Sequence, residues 1–237
     1  MKLIFRESPH INYSLYQFPY MVYAIKEPND DYNTIYDKGF LPYSNDLSIE
    51  EEIYYLARSI RIDLTQKIFS YKQNNVFHNF ENIYPESQTH IELVDKEVLI
   101  QDKTFLDWCI KNAKNQFLTK ERLQYILSRT YLKKILLLYA DKELLAYIFV
   151  ISDAQMLHLW YSFYNLEKGY NNMGKWVILN IIKWCKSKGY RYFYIGTCYS
   201  QNAFYKLTLS PRTEYFTGET WCKDISSLKK RLLAGEI

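Results

Sequence analysis

The sequence predicts a mixed α/β protein in which helices flank β-sheets, and three observations carry that expectation. Two apolar runs, KKILLLYA at 133–140 and LLAYIFVI at 144–151, are joined by Asp141-Lys142-Glu143, the pattern of an antiparallel hairpin. A third strand-like run spans Leu157 to Tyr164. Behind it a polar loop ends at Gly174, an amphipathic helix covers Lys175 to Lys188, and Gly189 leads into the strand-like YRYFYIG. In that helix Val177, Ile178, Ile181, Ile182 and Cys185 share one side, while Asn180, Lys183 and Ser187 mark the other. The order of three strands, loop, helix and strand is an α/β sandwich whose loop–helix junction falls at an opened sheet edge, a common ligand location.

The remaining elements follow from local signals. Up to Asn29, short aromatic runs broken by Pro9, Pro19 and Pro28 predict extended segments and turns. DDYNTIYDK at 30–38 reads as a short helix stopped by Gly39. YYLARSIRIDL at 54–64 reads as one partly buried strand carrying Arg58 and Arg61, and TQKIFSYKQNNVFHNF at 65–80 as a helix. Residues 86–103 are mixed and polar and serve as the expected connection between an N-terminal half, 1–85, and a C-terminal domain, 104–237. KTFLDWCIKNAKNQFL and TKERLQYILSRTYL read as amphipathic helices, the second capped by Thr119.

Composition narrows the class. A hydrophobic fraction of 48% and a charged fraction of 24% are those of a globular domain. With 24 tyrosines against 7 glycines, tyrosine position carries more information than tyrosine number. The formal charge of +4 is too small to mark a dedicated nucleic-acid surface, although the clusters Lys183/Lys186/Lys188/Arg191 and Lys223/Lys229/Lys230/Arg231 allow an RNA partner. Cys109, Cys185, Cys198 and Cys222 include no CxxC pair, which speaks against structural zinc and for reduced thiols. The N-terminus lacks a signal-peptide core and no apolar run approaches the roughly 18 residues that span a bilayer, so a cytoplasmic protein without membrane contact is expected.

The order of elements around the loop resembles the core of the GNAT acyltransferases. Their acetyl-CoA enzymes carry Q/R-x-x-G-x-G/A at this helix start, and the corresponding residues are Asn171-Asn172-Met173-Gly174-Lys175-Trp176. Only Gly174 fits, and a tryptophan in the last small position is expected to obstruct a pyrophosphate.

A broader set of residues resembles the arginyl-tRNA–protein transferases and their bacterial leucyl-transferring relatives. It comprises Tyr161-Ser162-Phe163-Tyr164, Asn172-Met173-Gly174, the run Gly189 to Gly196, Tyr205-Lys206, Pro211, Glu214 and Trp221. In the first half, Tyr36 to Ser44 and Arg58-Ser59-Ile60-Arg61-Ile62 resemble two further motifs of the family. Two features depart from its pattern: Asn165-Leu166 replaces an Asp-Pro, and the N-terminal cysteine cluster is missing, with the thiolate ligands it would supply. The resemblance implies a divergent member with a GNAT-like fold, in two GNAT-like halves, of mixed sheets flanked by helices. It further implies transfer of an amino acid from aminoacyl-tRNA to the amine of a protein or peptide, with an acidic N-terminal residue as the expected acceptor. No cofactor or metal is then expected beyond the tRNA co-substrate; acyl-CoA is the alternative donor, and a tRNA- or peptide-binding protein without activity is a third reading. The transferred amino acid and the oligomeric state stay open, a monomer being allowed.

Within that reading the backbone of Asn172, Met173 and Gly174 is the expected oxyanion or tRNA 3′-end site. Tyr161 and Tyr164 are expected near the loop, only one of them facing the cleft because strand side chains alternate. Tyr205 and Lys206 are the expected acceptor or phosphate contacts, and Arg61 the carboxylate or phosphate clamp. His158 falls on no motif and reads as an ordinary strand histidine; His10, His78 and His90 show no metal-ligand spacing. Cys198 reads as a structural thiol.

Overall fold

The computed structural model describes residues 1–7, 12, 19–44, 47, 49–113 and 118–235. Strands β1 (Lys2–Glu7), β2 (Tyr20–Ile25), β3 (Phe40–Pro42) and β4 (Ile53–Leu56) form an antiparallel sheet in the order β1-β2-β4-β3. Helix α1 (Tyr32–Asp37) lies between β2 and β3, opened by Asp31, whose carboxylate accepts from the Thr34 N–H. Gly39 follows it with φ of +82°, the stop expected there.

YYLARSIRIDL is not one strand. The chain leaves the small sheet after Leu56, turns at Ala57-Arg58, and enters a second sheet as β5 (Ser59–Asp63). Neither glycine nor proline marks the turn, so the sequence offered no break there. Helix α2 (Tyr71–Glu81) starts later than its apolar spacing suggests, because Gln73 Oε1 accepts from the Ser70 N–H at 2.9 Å and fixes the first turn. The expected connection holds regular structure, β6 (Thr89–Asp95) and α3 (Lys96–Leu99).

Helices α4 (Lys103–Lys111) and α5 (Lys120–Ser128) follow, with Thr119 Oγ1 accepting from the Arg122 N–H as its cap position predicts. Residues 114–117 of the expected longer helix, and His10, lie outside the described residues. The hairpin is β7 (Lys134–Ala140) with β8 (Glu143–Ser152), followed by β9 (Met156–Tyr164), α6 (Met173–Ser187) and β10 (Tyr192–Thr197). The described chain ends with β11 (Thr213–Phe216), β12 (Trp221–Cys222) and α7 (Ile225–Ala234).

The large sheet runs β12-β11-β5-β10-β9-β8-β7-β6. Both of its faces are covered, which is why β7 is apolar at every central position. Leu136 and Leu138 pack with Val76 and Phe80 of α2, Val177 and Ile181 of α6, and Leu228 of α7. Ile135 and Leu137 pack on the other face with Ile35 of α1, Phe105 of α4, Ile126 of α5 and Tyr54 of the small sheet. The architecture is the expected mixed α/β one, two sheets flanked by helices, and β7 to β10 with α6 keep the expected acyltransferase order. The strands are not divided one sheet to each half, however: β5 lies inside the large sheet, between β11 and β10, and β6 forms its edge. Among the described residues no helix is long and apolar enough to cross a membrane.

Candidate functional site

The site grows from the only parallel pairing in the large sheet among the described residues. β9 and β10 pair through Met156–Tyr192, Leu157–Phe193 and His158–Tyr194, and then part. Each strand carries an extra residue just past this point. On β9, Leu159 and Tyr161 face the consecutive residues Val150 and Phe149, which leaves Trp160 as a bulge. On β10, Tyr194 and Thr197 face Arg61 and Ser59, so an extra residue sits at Ile195-Gly196, where Gly196 has φ of +81°. Bulges bend the strand that carries them, and two at the same level splay the strands apart.

The gap holds two cavities on opposite faces of the sheet. The inner one, about 290 Å³, faces the small sheet and α5 and is lined by His158, Tyr161, Thr197, Lys206, Ser44 and Arg122, among others. The outer one, about 640 Å³, faces α6 and is lined by Tyr164, Tyr170, Asn172, Gly174 and Lys175, among others. Ser162 and Tyr205 line both, so the cavities meet through the split in the sheet. Among the described residues lining them there is no aspartate or glutamate.

Lys206 and Arg122 bring positive charge to the inner cavity. Lys206 Nζ donates to the Thr197 carbonyl at 2.9 Å and passes close over Gly196, where an added Cβ would sit 3.3 Å from it. The short turn carrying Lys206 is tied to α2 by Gln73 Nε2, which donates to the Thr208 carbonyl at 2.7 Å. Burial pushes the Lys206 ammonium down to about 8. Burial, reinforced by the charge of Lys206, pushes His158 down to about 3, so its imidazole is neutral near pH 7. The Cys198 thiol is buried and raised by that burial, against the charges of Lys206, Arg58 and Lys229. It is therefore no thiolate nucleophile at neutral pH.

At the outer cavity, Asn172 stands in the left-handed region with φ of +65° and places no side-chain cap on α6. The amides of Gly174 and Lys175, in the first helical turn, have no carbonyl of the helix to pair with. Met173 differs from the other two residues of the expected trio: its N–H donates to the Tyr170 carbonyl at 3.2 Å and its side chain is buried. Gly174 is a contact glycine, since a Cβ there would meet Tyr164 Oη at 2.6 Å.

The expected obstruction by Trp176 does not occur. Its ring is buried against Phe80 and Tyr84, with centroids 5.2 and 5.3 Å away, and lines neither cavity. Tyr161 and Tyr164 do point to opposite faces, yet both reach the site, because the cleft passes through the sheet. Tyr205 and Lys206 also reach it.

Arg61 does not. Its Nε donates to Glu214 Oε2 at 2.8 Å and one terminal nitrogen to Asp37 Oδ1 at 2.7 Å. The guanidinium lies 3.9 Å from the ring centroids of both Tyr192 and Trp221. It clamps carboxylates of its own chain. Sequence reasoning singled out neither Arg122 and Lys175 nor Gln73, and named Ser44 and Ser162 only within longer motifs; of the shared cavity wall, Tyr205 was the residue expected there. Among the described residues no group of three or more His, Cys, Asp or Glu is placed to hold a metal ion.

Comparison with known proteins gives one family. No curated protein sequence matches the chain. Of solved structures, L-PGS from Bacillus licheniformis is 16% identical with a TM-score of 0.42, over 72% of this chain and 52% of that one. A conserved protein of unknown function from Bacteroides thetaiotaomicron is 13% identical with a TM-score of 0.40, over 82% and 57%. An aminoglycoside acetyltransferase from an uncultured soil metagenomic sample, solved with sisomicin, is 12% identical with a TM-score of 0.32, over 52% and 85%. The chain thus spans about half the length of the first two. Residues 84–214, more than half of the 237, match the family described as arginine-tRNA-protein transferase, C terminus, and this stretch contains the split strands, the loop and the start of α6. The chain belongs to the arginine-tRNA-protein transferase C-terminal family.

Proposed function

We propose that this protein is an aminoacyltransferase that moves an amino acid from aminoacyl-tRNA to the amine of a protein or peptide with an acidic N-terminal residue. The observation that carries the reading is the passage through the sheet, with one cavity on each face meeting at Ser162 and Tyr205. Such a site admits two large substrates from opposite sides and brings only their reactive ends together. The outer cavity takes the tRNA 3′ end, with Tyr164 and Tyr170 for the terminal base and the Gly174 and Lys175 amides for phosphate or oxyanion. The inner cavity takes the acceptor, its carboxylate paired with Lys206.

In the reaction the acceptor nitrogen attacks the ester carbonyl and the C–N bond forms. The tetrahedral intermediate expels the ribose oxygen as the C–O bond breaks, and a proton passes from nitrogen to that oxygen. The hydroxyls of Ser162 and Tyr205 line the junction where this proton moves. A tRNA donor would place the protein in the cytoplasm.

The test is to incubate the protein with charged tRNAs and peptides that begin with Asp or Glu, and to weigh the products. A peptide lengthened by one residue supports the reading; no product with any aminoacyl-tRNA overturns it. Acyl-CoA is the second reading, favoured by the burial of Trp176 away from the α6 start, and peptide acylation by acyl-CoA alone would establish it.

Gly174→Ala separates a working centre from a binding surface. The added methyl displaces the Tyr164 ring, so transfer is expected to fall roughly tenfold, within the range that a shift of about 1 Å costs a positioned substrate. The fold is expected to survive with a melting temperature lowered by a few degrees at most, because the cost of moving the Tyr164 ring is offset in part by the better helix propensity of alanine, about 1 kcal/mol in a helix interior.

A further inference from the structure

The inner cavity contains a donor that the transfer reaction, as described, does not use. His158 is the last residue of β9 paired with β10, at the apex of the split, and is 2% exposed. Its Nδ1 lies 2.9 Å from Tyr36 Oη. Tyr36 is fully buried, its ring packed edge-on against His158 and Tyr194. A buried phenol that only accepted from the imidazole would leave its own proton without a partner, which costs more than the bond returns. Donation from Tyr36 to Nδ1 satisfies both groups and leaves the imidazole proton on Nε2. Burial and the Lys206 charge keep the ring neutral, so this tautomer is its resting state. His158 lines the inner cavity beside Lys206, and Nε2 has no hydrogen-bond partner among the described residues.

We propose that His158 is a specificity-determining residue: its Nε2–H, held by Tyr36, and the Lys206 ammonium converge on one carboxylate of the acceptor. The proposal rests on the reading that the inner cavity receives the acceptor. The neutral Nε2–H and the Lys206 ammonium, with Arg122 also in the lining and no acidic group among the described lining residues, suit a carboxylate, whose two oxygens both accept. They reject the matching carboxamide, because its NH₂ would face a donor and be left buried without a partner. A neutral donor also adds no charge that would repel the acceptor's own amine.

The experiment has a spectroscopic and a kinetic part. In ¹⁵N-labelled protein, whose four histidines are assigned by difference with His158→Gln, the His158 ring is expected to show protonated Nε2 and bare Nδ1. Tyr36→Phe is expected to yield a mixture of tautomers. Aspartyl dipeptide added without tRNA is expected to shift the Nε2–H signal, and asparaginyl dipeptide and inorganic phosphate are not. The kcat/KM preference for Asp- over Asn-initiated peptides is expected to fall at least tenfold in both His158→Gln and Tyr36→Phe, through KM and not kcat. A proton on Nδ1 in the unaltered protein, equal shifts by phosphate, or an unchanged preference in both variants would overturn the proposal. A shift by the aspartyl dipeptide in a protein that transfers nothing leaves the pocket standing and removes the transferase reading alone.

Discussion

Lys206→Met is expected to raise the KM for an acidic acceptor roughly 10- to 150-fold and to leave the fold intact. The range follows from a hydrogen bond to a charged group, worth about 1.5–3 kcal/mol. Methionine is a fair replacement, because it follows the lysine stem and removes only the ammonium. The partner lost inside the protein is one carbonyl, that of Thr197. The pH dependence follows from the burial of the amine, which lowers it from an ordinary 10.5 to about 8. Below about 8 the cation is present and the acceptor is held; above it the charge is lost and KM rises, up to about tenfold per unit, a limb absent from the Met variant. Stability moves the other way. Between about 8 and 10.5 the unfolded chain binds the proton more firmly than the folded one, so unfolding becomes harder as pH rises through that window. Initial rates and denaturant midpoints across pH 7 to 10, for both proteins, check the two limbs.

Arg61→Met is expected to act on stability. The pair formed by Arg61 and Glu214 is buried, each side chain 7% exposed, and removal of one partner from such a pair costs about 3–5 kcal/mol. Lys223, 3.6 Å from the other Glu214 oxygen and exposed, remains as a partial partner and sets the expectation near the lower end. The guanidinium also ties α1 to the large sheet through Asp37, whose carbonyl accepts from Trp221 Nε1 at 2.7 Å. Urea unfolding of Arg61→Met and of Arg61→Met/Glu214→Gln checks this. The double variant should recover much of the loss, because the buried charge is then gone.

What the sequence made legible has a physical pattern. The β7–β8 hairpin, α6 and β10 were readable because each is bounded by a local signal and carries a continuous apolar code. The turn at Ala57-Arg58 was not, since a change of sheet requires no special residue when the backbone stays in ordinary regions. β6 was hidden for the opposite reason: it is an edge strand with most of its residues exposed and none buried, so no continuous apolar run marks it. Motif order drew attention to Tyr161, Tyr164, Gly174, Tyr205 and Lys206, which line the two cavities. Arg61 was misdirected because its partners, Asp37 and Glu214, are distant in sequence. Trp176 was misjudged by neglect of helix phase: two residues past Gly174 is about 200° around the axis, on the far side of α6.

The interleaving of the large sheet also sets when the site comes into being. Ser44 lines the inner cavity and β5 forms the neighbouring strand, yet the other walls come from residues as late as Lys206. Leu41, the first residue of the lining, precedes Lys206 by 165 positions (206 − 41). At roughly 5–20 residues per second, about 8–33 s of synthesis separate the first wall from the last. During that interval β5 leaves the ribosome without either of its neighbours, β10 and β11. A nascent chain that has not yet exposed Lys206 has no complete inner cavity.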